Sequence, residues 1–492
     1  MERAVDTMTT TNRNKANPGR GAALLLALWL GFWLLALGLA AGLLWVPIAQ
    51  LSRGTPDLAG YAAAVGAATL LYALRPRRRQ DRGTPLPLLR ENAPALYAKV
   101  GQIGAALGVK ATVNIHLANA ASVTMSHRTS WHGKLTSLEL GLGLPLLIAL
   151  SEDELGALIA HEFGHFAAGK GGLGPWVYRT RESIANSALD LGDSLFFVDL
   201  LYALFGRGFV RLSAGVARAQ EFEADALAAG KFGRTVTCNA LKKVDMMAPM
   251  WAAYARHELY PAVARGARVP VFDGFRRFCK AGVRRAEVAG AIGNFEIGAK
   301  TAFDVHPTLE RRIEAIKPGA GAGAPPLAEC THLLGGEAEA EHAWYDFFHD
   351  GQLEKCSWER FGADVVQPQI RQRFAGSWMD PERLPLGDLI LMAEEIGEEP
   401  AHLWDRLKPE GISFLSRGAK RKHVAEIVEE WVIASLDQRG FTLAVAPGQA
   451  LRMERDGHTV LPSELMAAAL GRTLTPAALA ALAPRQKVNL YK

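Results

Sequence analysis

The stretch from Ser151 to Gly172, SEDELGALIAHEFGHFAAGKGG, contains two histidines four residues apart and the signals that begin and end a helix. Ser151 and Glu154 have the spacing of a capping box, in which each side chain accepts a hydrogen bond from the other residue's backbone amide. A glycine-rich segment ends the pattern. The sequence therefore predicts a helix that places His161 and His165 on one face.

Histidines on one helical face can each offer a ring nitrogen to the same ion. Zinc binds imidazole nitrogen at about 2.0–2.1 Å, and a catalytic zinc has three protein ligands and one position for water. Glu162 is about 100° around the helix from His161, so its carboxylate lies beside the ion and can accept a proton from the bound water. We therefore predict His161 and His165 as metal ligands and Glu162 as the general base.

The third ligand must come from elsewhere, because no further histidine follows at a short spacing. The segment EFEAD, Glu221 to Asp225, begins 221 − 165 = 56 residues after His165. Glu221 and Asp225 are four residues apart and share a helical face. One of them can bind the metal while the other accepts a hydrogen bond from a ligand histidine.

Length and composition limit the class of protein. A chain of 492 residues is too long for one compact core, so we expect two or three domains. The net charge of +5 is small for this length, and much of the excess is an arginine cluster at 75–82, which argues against a nucleic-acid surface. The four cysteines form no CxxC pair, which argues against a disulfide framework and a cysteine-rich zinc site.

The amino-terminal part predicts a transmembrane hairpin. No charged residue lies between Arg20 and Arg53, and a span needs about 20 apolar residues, whereas a signal peptide has an apolar region of about 7–15. A second uncharged stretch, Leu58 to Leu74, is either a short second span or a helix packed on the first. Basic residues flank the hairpin on both sides, so the positive-inside rule places both ends and the remaining chain in the cytoplasm.

The pattern as a whole predicts a mainly α fold with a small β-sheet, an α+β class. We expect a cytoplasmic segment at 1–20, the transmembrane hairpin with its basic flank at 21–82, and a soluble domain at 83–317. The segment PGAGAGAPP reads as a linker over 318–326, and 327–492 reads as a small α+β domain without a catalytic signature. In this last domain we expect a hairpin around Asp456-Gly457 and then a helix capped by Ser463.

Four features occur in order along the chain: the membrane hairpin, LSEDELGALIAHEFGH (150–165), QEFEADALAAG (220–230) and DVHPTLERRI (304–313). Together they resemble the integral-membrane zinc endopeptidases that include HtpX and the CAAX prenyl endopeptidases, over residues 85 to 317. The resemblance implies a gluzincin-like metalloprotease domain with one Zn²⁺ per chain. It implies that His161, His165 and Glu221 are the zinc ligands, Glu162 is the general base and Asp225 orients a ligand histidine.

The same resemblance implies further roles near the site. His306 and Arg312 match a pattern that packs near the active site, and His306 would help to stabilise the oxyanion of the tetrahedral intermediate. The strand SLELGLGL (137–144) would pair with an extended substrate, and Asn119-Ala120 is a weaker candidate for backbone binding. Lys170 departs from many relatives, which have an acidic or small polar residue just after the metal helix.

The expected function is that of a membrane-bound zinc metalloendopeptidase whose substrates are polypeptides, above all membrane proteins. The lipid bilayer is the second expected partner, and the resemblance implies a bacterial plasma membrane with the catalytic domain facing the cytoplasm. Three alternatives stay open. They are a CAAX-type prenyl-peptide endopeptidase, which is usually built with many more spans, a catalytically silent membrane adaptor, and a zinc hydrolase with a non-peptide substrate.

Overall fold

The computed structural model describes residues 18–74, 86–129, 135–167, 214–215, 217–281, 307–317, 326–349, 351–409 and 415–482. These residues are mainly helical with small sheets, which confirms the predicted α+β class. The chain divides into two compact units, Met1–Met246 with Asn294–Gly335 and Met247–Gly293 with Gly336–Lys492. This division differs from the domain limits drawn from the sequence at 83–317, 318–326 and 327–492, which stay predictions.

Two apolar helices, Pro18–Ser52 and Leu58–Leu74, open the first unit and pack against each other. Small side chains at Ala36, Ala40 and Ala67 are buried, whereas many of the larger apolar side chains are exposed. The segment Trp29–Ser52 is long and apolar enough to cross a membrane, and the second helix is shorter than that. One candidate span is therefore present, and the second span stays a prediction.

A four-stranded sheet follows the two helices. Its strands are β1 (Leu86–Leu88), β2 (Thr112–Ala118), β3 (Val123–Thr129) and β4 (Leu135–Gly143), in the order β1-β2-β4-β3. The central strands β2 and β4 are parallel, and both outer pairs are antiparallel. Helix Pro94–Ala106 connects β1 to β2 and packs against β2.

The position of β4 overturns one prediction. Its residue Leu140 is in register with Ile115 of β2 on one side and with Met125 of β3 on the other. A strand that is paired along both sides has no free backbone groups with which to bind an added chain. The prediction that 137–144 pairs with an extended substrate is therefore wrong. Among the described strands, β3 is the sheet edge beside β4.

The remaining helices of the first unit carry the predicted site residues. A short helix, Leu144–Ala149, leads from β4 into the histidine helix, Glu152–Ala167. The predicted capping box is confirmed: Ser151 N donates to Glu154 Oε2 at 2.8 Å, and Glu154 N donates to Ser151 Oγ at 3.3 Å. The other helices are the acid helix (217–232), the lysine helix (Arg234–Tyr254), which continues into the second unit, and the arginine helix (Leu309–Ile316).

The segment that follows the predicted linker returns to the start of the histidine helix. Ala328 N donates to the carbonyl of Ala149 at 3.1 Å, and Cys330 N donates to the carbonyl of Leu147 at 2.9 Å. A short 3-10 turn, Thr331–Leu333, follows. The first residues after the linker therefore belong to the first unit.

The second unit is built around an aromatic core in which Trp251, Tyr254, Phe275 and Trp358 are buried. Ala267–Arg268 pairs with Glu354–Lys355, and three antiparallel strands form the second small sheet: Thr442–Ala444, Arg452–Arg455 and His458–Val460. Its helical segments, after the lysine helix, are Ala255–Leu259 (π), Tyr260–Ala264, Val271–Lys280, Glu337–Phe348, Trp358–Phe361, Gly362–Val366 (π), Gln367–Phe374, Leu386–Asp388 (3-10), Leu389–Glu398, Ala401–Leu407, Arg417–Asp437, Pro462–Leu470 and Pro476–Ala480.

Candidate metal centre

Two helices pack antiparallel to form the site. A Cβ built on Gly164 of the histidine helix would lie 3.1 Å from the Cα of Ala224 on the acid helix, and one on Gly156 would lie 2.5 Å from the ring of Phe232. The two contacts are separated by the same number of residues on each helix, since 164 − 156 = 8 and 232 − 224 = 8. The glycines therefore allow a close approach at two points along the helices.

This packing brings together the three predicted ligands, His161, His165 and Glu221, whose candidate ligand atoms all lie within 4.8 Å of one another. Nε2 of His161 is 3.5 Å from Oε2 of Glu221, and Nε2 of His165 is 3.6 Å from Oε1 of Glu221. Ligand atoms held at 2.0–2.1 Å around a tetrahedral zinc are roughly 3.3 Å apart. The spacing and the donor set of two imidazoles and one carboxylate therefore fit a zinc ion.

Asp225 lies on the other side of His161. Its Oδ1 is 2.9 Å from Nδ1 of His161, which is a hydrogen-bonding distance. The guanidinium of Arg312 donates to both carboxylate oxygens of Asp225, from Nε at 2.8 Å and from Nη2 at 2.6 Å. This contact fixes Nδ1 toward Asp225 and leaves Nε2 facing Glu221 and His165.

The ionisable side chains of His161, Asp225 and Arg312 shift one another's pKa. Burial lowers the pKa of His161, but the hydrogen bonds to Asp225 and Glu221 outweigh burial and raise that pKa to about 9. Burial raises the pKa of Asp225, but Arg312 and His161 outweigh it, so that the pKa is lowered and the carboxyl stays ionised. A metal ion requires a neutral imidazole ligand, so an ion held by these residues would displace the proton that the carboxylates otherwise hold on His161.

The other predicted residues are placed as follows. Glu162 is partly exposed on the histidine helix, and Glu223 is exposed on the acid helix, whereas Glu221 and Asp225 are buried. Glu221 and Asp225 share a buried helical face, as their spacing predicts, and Glu223 lies about 200° around the helix from Glu221. His306 and Lys170 lie outside the described residues.

Sequence reasoning missed one buried charge in this unit. Lys243 is 1% exposed, and its Nζ donates to Oε2 of Glu154 at 2.6 Å. The signal that was available is a lysine at helical spacing from apolar residues, three after Ala240 and four before Met247, on a face that is otherwise buried. Its partner is 89 residues away, and no local pattern identifies such a pair.

Residues 132–319 match the family model of Peptidase family M48. This match covers the histidine, acid and arginine helices and supports the assignment of the domain to the M48 metallopeptidases, a metal-dependent family. No curated protein and no solved structure matches the chain.

Proposed function

We propose that the chain is a membrane-bound zinc endopeptidase that hydrolyses peptide bonds in proteins at or near the membrane. The observation that carries this proposal is the convergence of His161, His165 and Glu221, at 3.5–3.6 Å, within a region matched by Peptidase family M48. Two histidines and one glutamate form the ligand set of a class of catalytic zinc sites that keep one position open.

His161, His165 and Glu221 would hold a zinc ion, which would supply Lewis-acid chemistry by polarising the scissile carbonyl and lowering the pKa of water toward about 7. Glu162, beside the ligands and partly exposed, accepts the proton of the attacking water and returns it to the departing amine. Asp225 holds the ring of His161 through Nδ1, and Arg312 holds Asp225 in turn. Within this proposal His306 keeps its expected role as an oxyanion donor.

The substrate strand in this proposal is β3. The histidine helix packs against β3, and β3 is an edge of the sheet among the described strands. Its outer side can therefore pair with an extended polypeptide in the manner of β-augmentation, which β4 cannot. Substrate pairing at this edge would bring a peptide bond close to the helix that carries His161 and Glu162.

The experiment that tests the function compares wild type with Glu162→Gln. The variant should keep one zinc per chain and lose casein cleavage by at least about 10²–10⁴-fold, because the water loses its proton acceptor. Glu223→Gln, the same change at an exposed acid of the neighbouring helix, should cleave at the wild-type rate. Cleavage by Glu162→Gln at nearly the wild-type rate would contradict the mechanism.

The location has its own test. Exposed apolar side chains on Pro18–Ser52 and Leu58–Leu74, together with the flanking basic residues, support a membrane hairpin whose two ends face the cytoplasm. A reporter fused after Arg82 should read cytoplasmic, and one at Gly54, in the turn between the two helices, should read external. An external reading after Arg82 would place the catalytic domain on the opposite side.

A further inference from the structure

A buried ion pair joins the start of the histidine helix to the lysine helix. The ammonium of Lys243 donates to Oε2 of Glu154 at 2.6 Å, and the two side chains are 1% and 8% exposed. A buried ammonium is costly unless it is paired, so the native packing keeps these two groups together. The same Glu154 oxygen accepts the backbone amide of Ser151 at 2.8 Å. Lys243 therefore binds to the first turn of the histidine helix through the group that caps it.

The pair lies on the helical face that carries the metal ligands. Glu154 precedes His161 by seven residues, which is about 20° short of two full turns and about 10 Å along the axis. The acid helix, which carries Glu221, reaches the lysine helix through Gly233, whose φ is +95°. These two consecutive helices thus contact the histidine helix at two positions along its axis. The acid helix contacts the histidines through Glu221 and Asp225. The lysine helix contacts Glu154 through Lys243, about two turns closer to the start of the histidine helix.

Contacts at two levels restrict the motion of a helix more than contacts at one level. The apolar contacts of the acid helix at Gly156 and Gly164 set how closely the two helices approach, but they involve no hydrogen bond or charge that fixes a direction. The histidine helix can therefore still rotate slightly about its axis or slide, and either movement changes the distance from each Nε2 to the carboxylate of Glu221. Functional groups need to be held to within about 0.5 Å of their working geometry. An ammonium paired with one carboxylate oxygen sets both the rotation and the axial position of the histidine helix at its other end.

We infer that Lys243 is a positioning residue for the metal site, which it acts on through Glu154, and this inference rests on the proposed function. A buried ion pair often contributes little net stability compared with an apolar pair of similar volume. Its effect here is on geometry: with the pair intact, the two imidazoles and Glu221 are pre-arranged for the ion. Without the pair, arranging the ligands costs free energy when the ion binds, and the measured zinc affinity is lower by that amount.

The test uses the full-length protein in detergent with three substitutions. Lys243→Met removes the charge and keeps the length of the side chain, and Lys243→Arg keeps the charge. Lys231→Met is the matched control, because it replaces lysine by methionine at an exposed position near the end of the acid helix. Zinc affinity by chelator competition, the visible absorption of the cobalt-substituted protein, kcat, KM and melting temperature are measured for each.

Lys243→Met should weaken zinc binding about 10–100-fold, as the loss of groups that orient metal ligands does elsewhere. It should also change the cobalt spectrum and lower kcat with little change in KM. Lys243→Arg should recover most of the affinity, and Lys231→Met should match wild type in every measurement. Because Lys243→Met leaves Glu154 buried without its partner, the double variant Glu154→Gln/Lys243→Met is measured as well. It removes both charges and should show the same loss of zinc affinity.

Wild-type zinc affinity and an unchanged cobalt spectrum in Lys243→Met, or in the double variant if the single one does not fold, would overturn the inference even if the melting temperature falls. That result would leave Lys243 a purely structural residue and the proposed function intact. A wild-type protein that binds no stoichiometric zinc would instead overturn the proposed function and the positioning role with it.

Discussion

Gly164 and Ala224 are in direct contact where the histidine helix passes the acid helix. A Cβ on Gly164 would lie 3.1 Å from both the Cα and the Cβ of Ala224, which is tighter than ordinary van der Waals contact. A larger residue at 164 therefore requires the acid helix to shift by a few tenths of an ångström. The third position between the two histidines of HEFGH thus sets how closely the helix that carries Glu221 approaches them.

The first prediction is that Gly164→Ala weakens zinc binding about tenfold, because the added methyl group shifts the helix that carries Glu221 away from His161 and His165. Chelator competition on the purified protein measures the change. Gly230→Ala is the control, since Gly230 is on the acid helix and a Cβ there has no heavy atom within 4 Å. Equal zinc affinity of Gly164→Ala and wild type would show that the close approach is not required.

The second prediction separates the acids of EFEAD. Glu221 is buried and faces both histidines, whereas Glu223 is exposed. Glu221→Ala should abolish stoichiometric zinc binding, and Glu223→Ala should leave zinc content and activity near wild type. Metal analysis of the two purified variants checks this, and zinc loss in Glu223→Ala with retention in Glu221→Ala would mean that the opposite face of the helix binds the ion.

The third prediction concerns the bidentate contact between Arg312 and Asp225. Lysine cannot reproduce the two parallel hydrogen bonds of a guanidinium, so Arg312→Lys should weaken zinc binding about 10–100-fold through the loosened Asp225 and His161. The neighbouring Arg311 is exposed, and Arg311→Lys should leave the affinity unchanged. If both lysine variants bind zinc equally well, Arg312 does not support the ligand histidine.

The fourth prediction lies in the second unit. Glu341 accepts the backbone amide of Phe272 at 2.7 Å, and burial raises the pKa of this carboxyl from 4.5 to about 7. A raised folded-state pKa gives a stabilising contribution that is complete below about pH 4.5 and is lost as the pH rises through 7. The change of this pKa from 4.5 to about 7 corresponds to a free energy on the order of 3 kcal/mol.

Glu341→Gln keeps an acceptor for Phe272 and cannot ionise. Between pH 5 and pH 8, wild type should therefore lose stability relative to Glu341→Gln in thermal melts of the detergent-solubilised protein. Glu339→Gln, an exposed acid of the same helix, should follow wild type at each pH. If the melting temperatures of wild type and Glu341→Gln change with pH in the same way, the raised pKa of Glu341 is contradicted.

The predictions made from sequence succeed where the deciding interactions are local. The capping box of Ser151 and Glu154, and the shared helical face of Glu221 and Asp225, follow from helical periodicity within a few residues. The hairpin at Asp456-Gly457 is confirmed for the same reason, since both residues have positive φ in the turn between two antiparallel strands. The predicted cap at Ser463 is wrong, because Pro462 occupies the first turn and Leu461 precedes the helix.

Features that depend on distant pairing could not be read from the sequence. β4 is central because β2 pairs with it in parallel, and the sequence of β4 does not contain the information that β2 lies there. The pair of Lys243 with Glu154 spans 89 residues, and the division of the compact units at Met246 falls inside one continuous helix. Each of these is set by tertiary packing rather than by local preference.

The central claim is that His161, His165 and Glu221 bind one catalytic zinc. Its test is a zinc titration of the metal-depleted full-length protein, followed by the rate of casein cleavage. We expect no cleavage before zinc is added, a linear rise in rate, and a sharp break at one zinc per chain. A cleavage rate that is the same with and without chelator, or full zinc occupancy without any cleavage, would contradict the assignment.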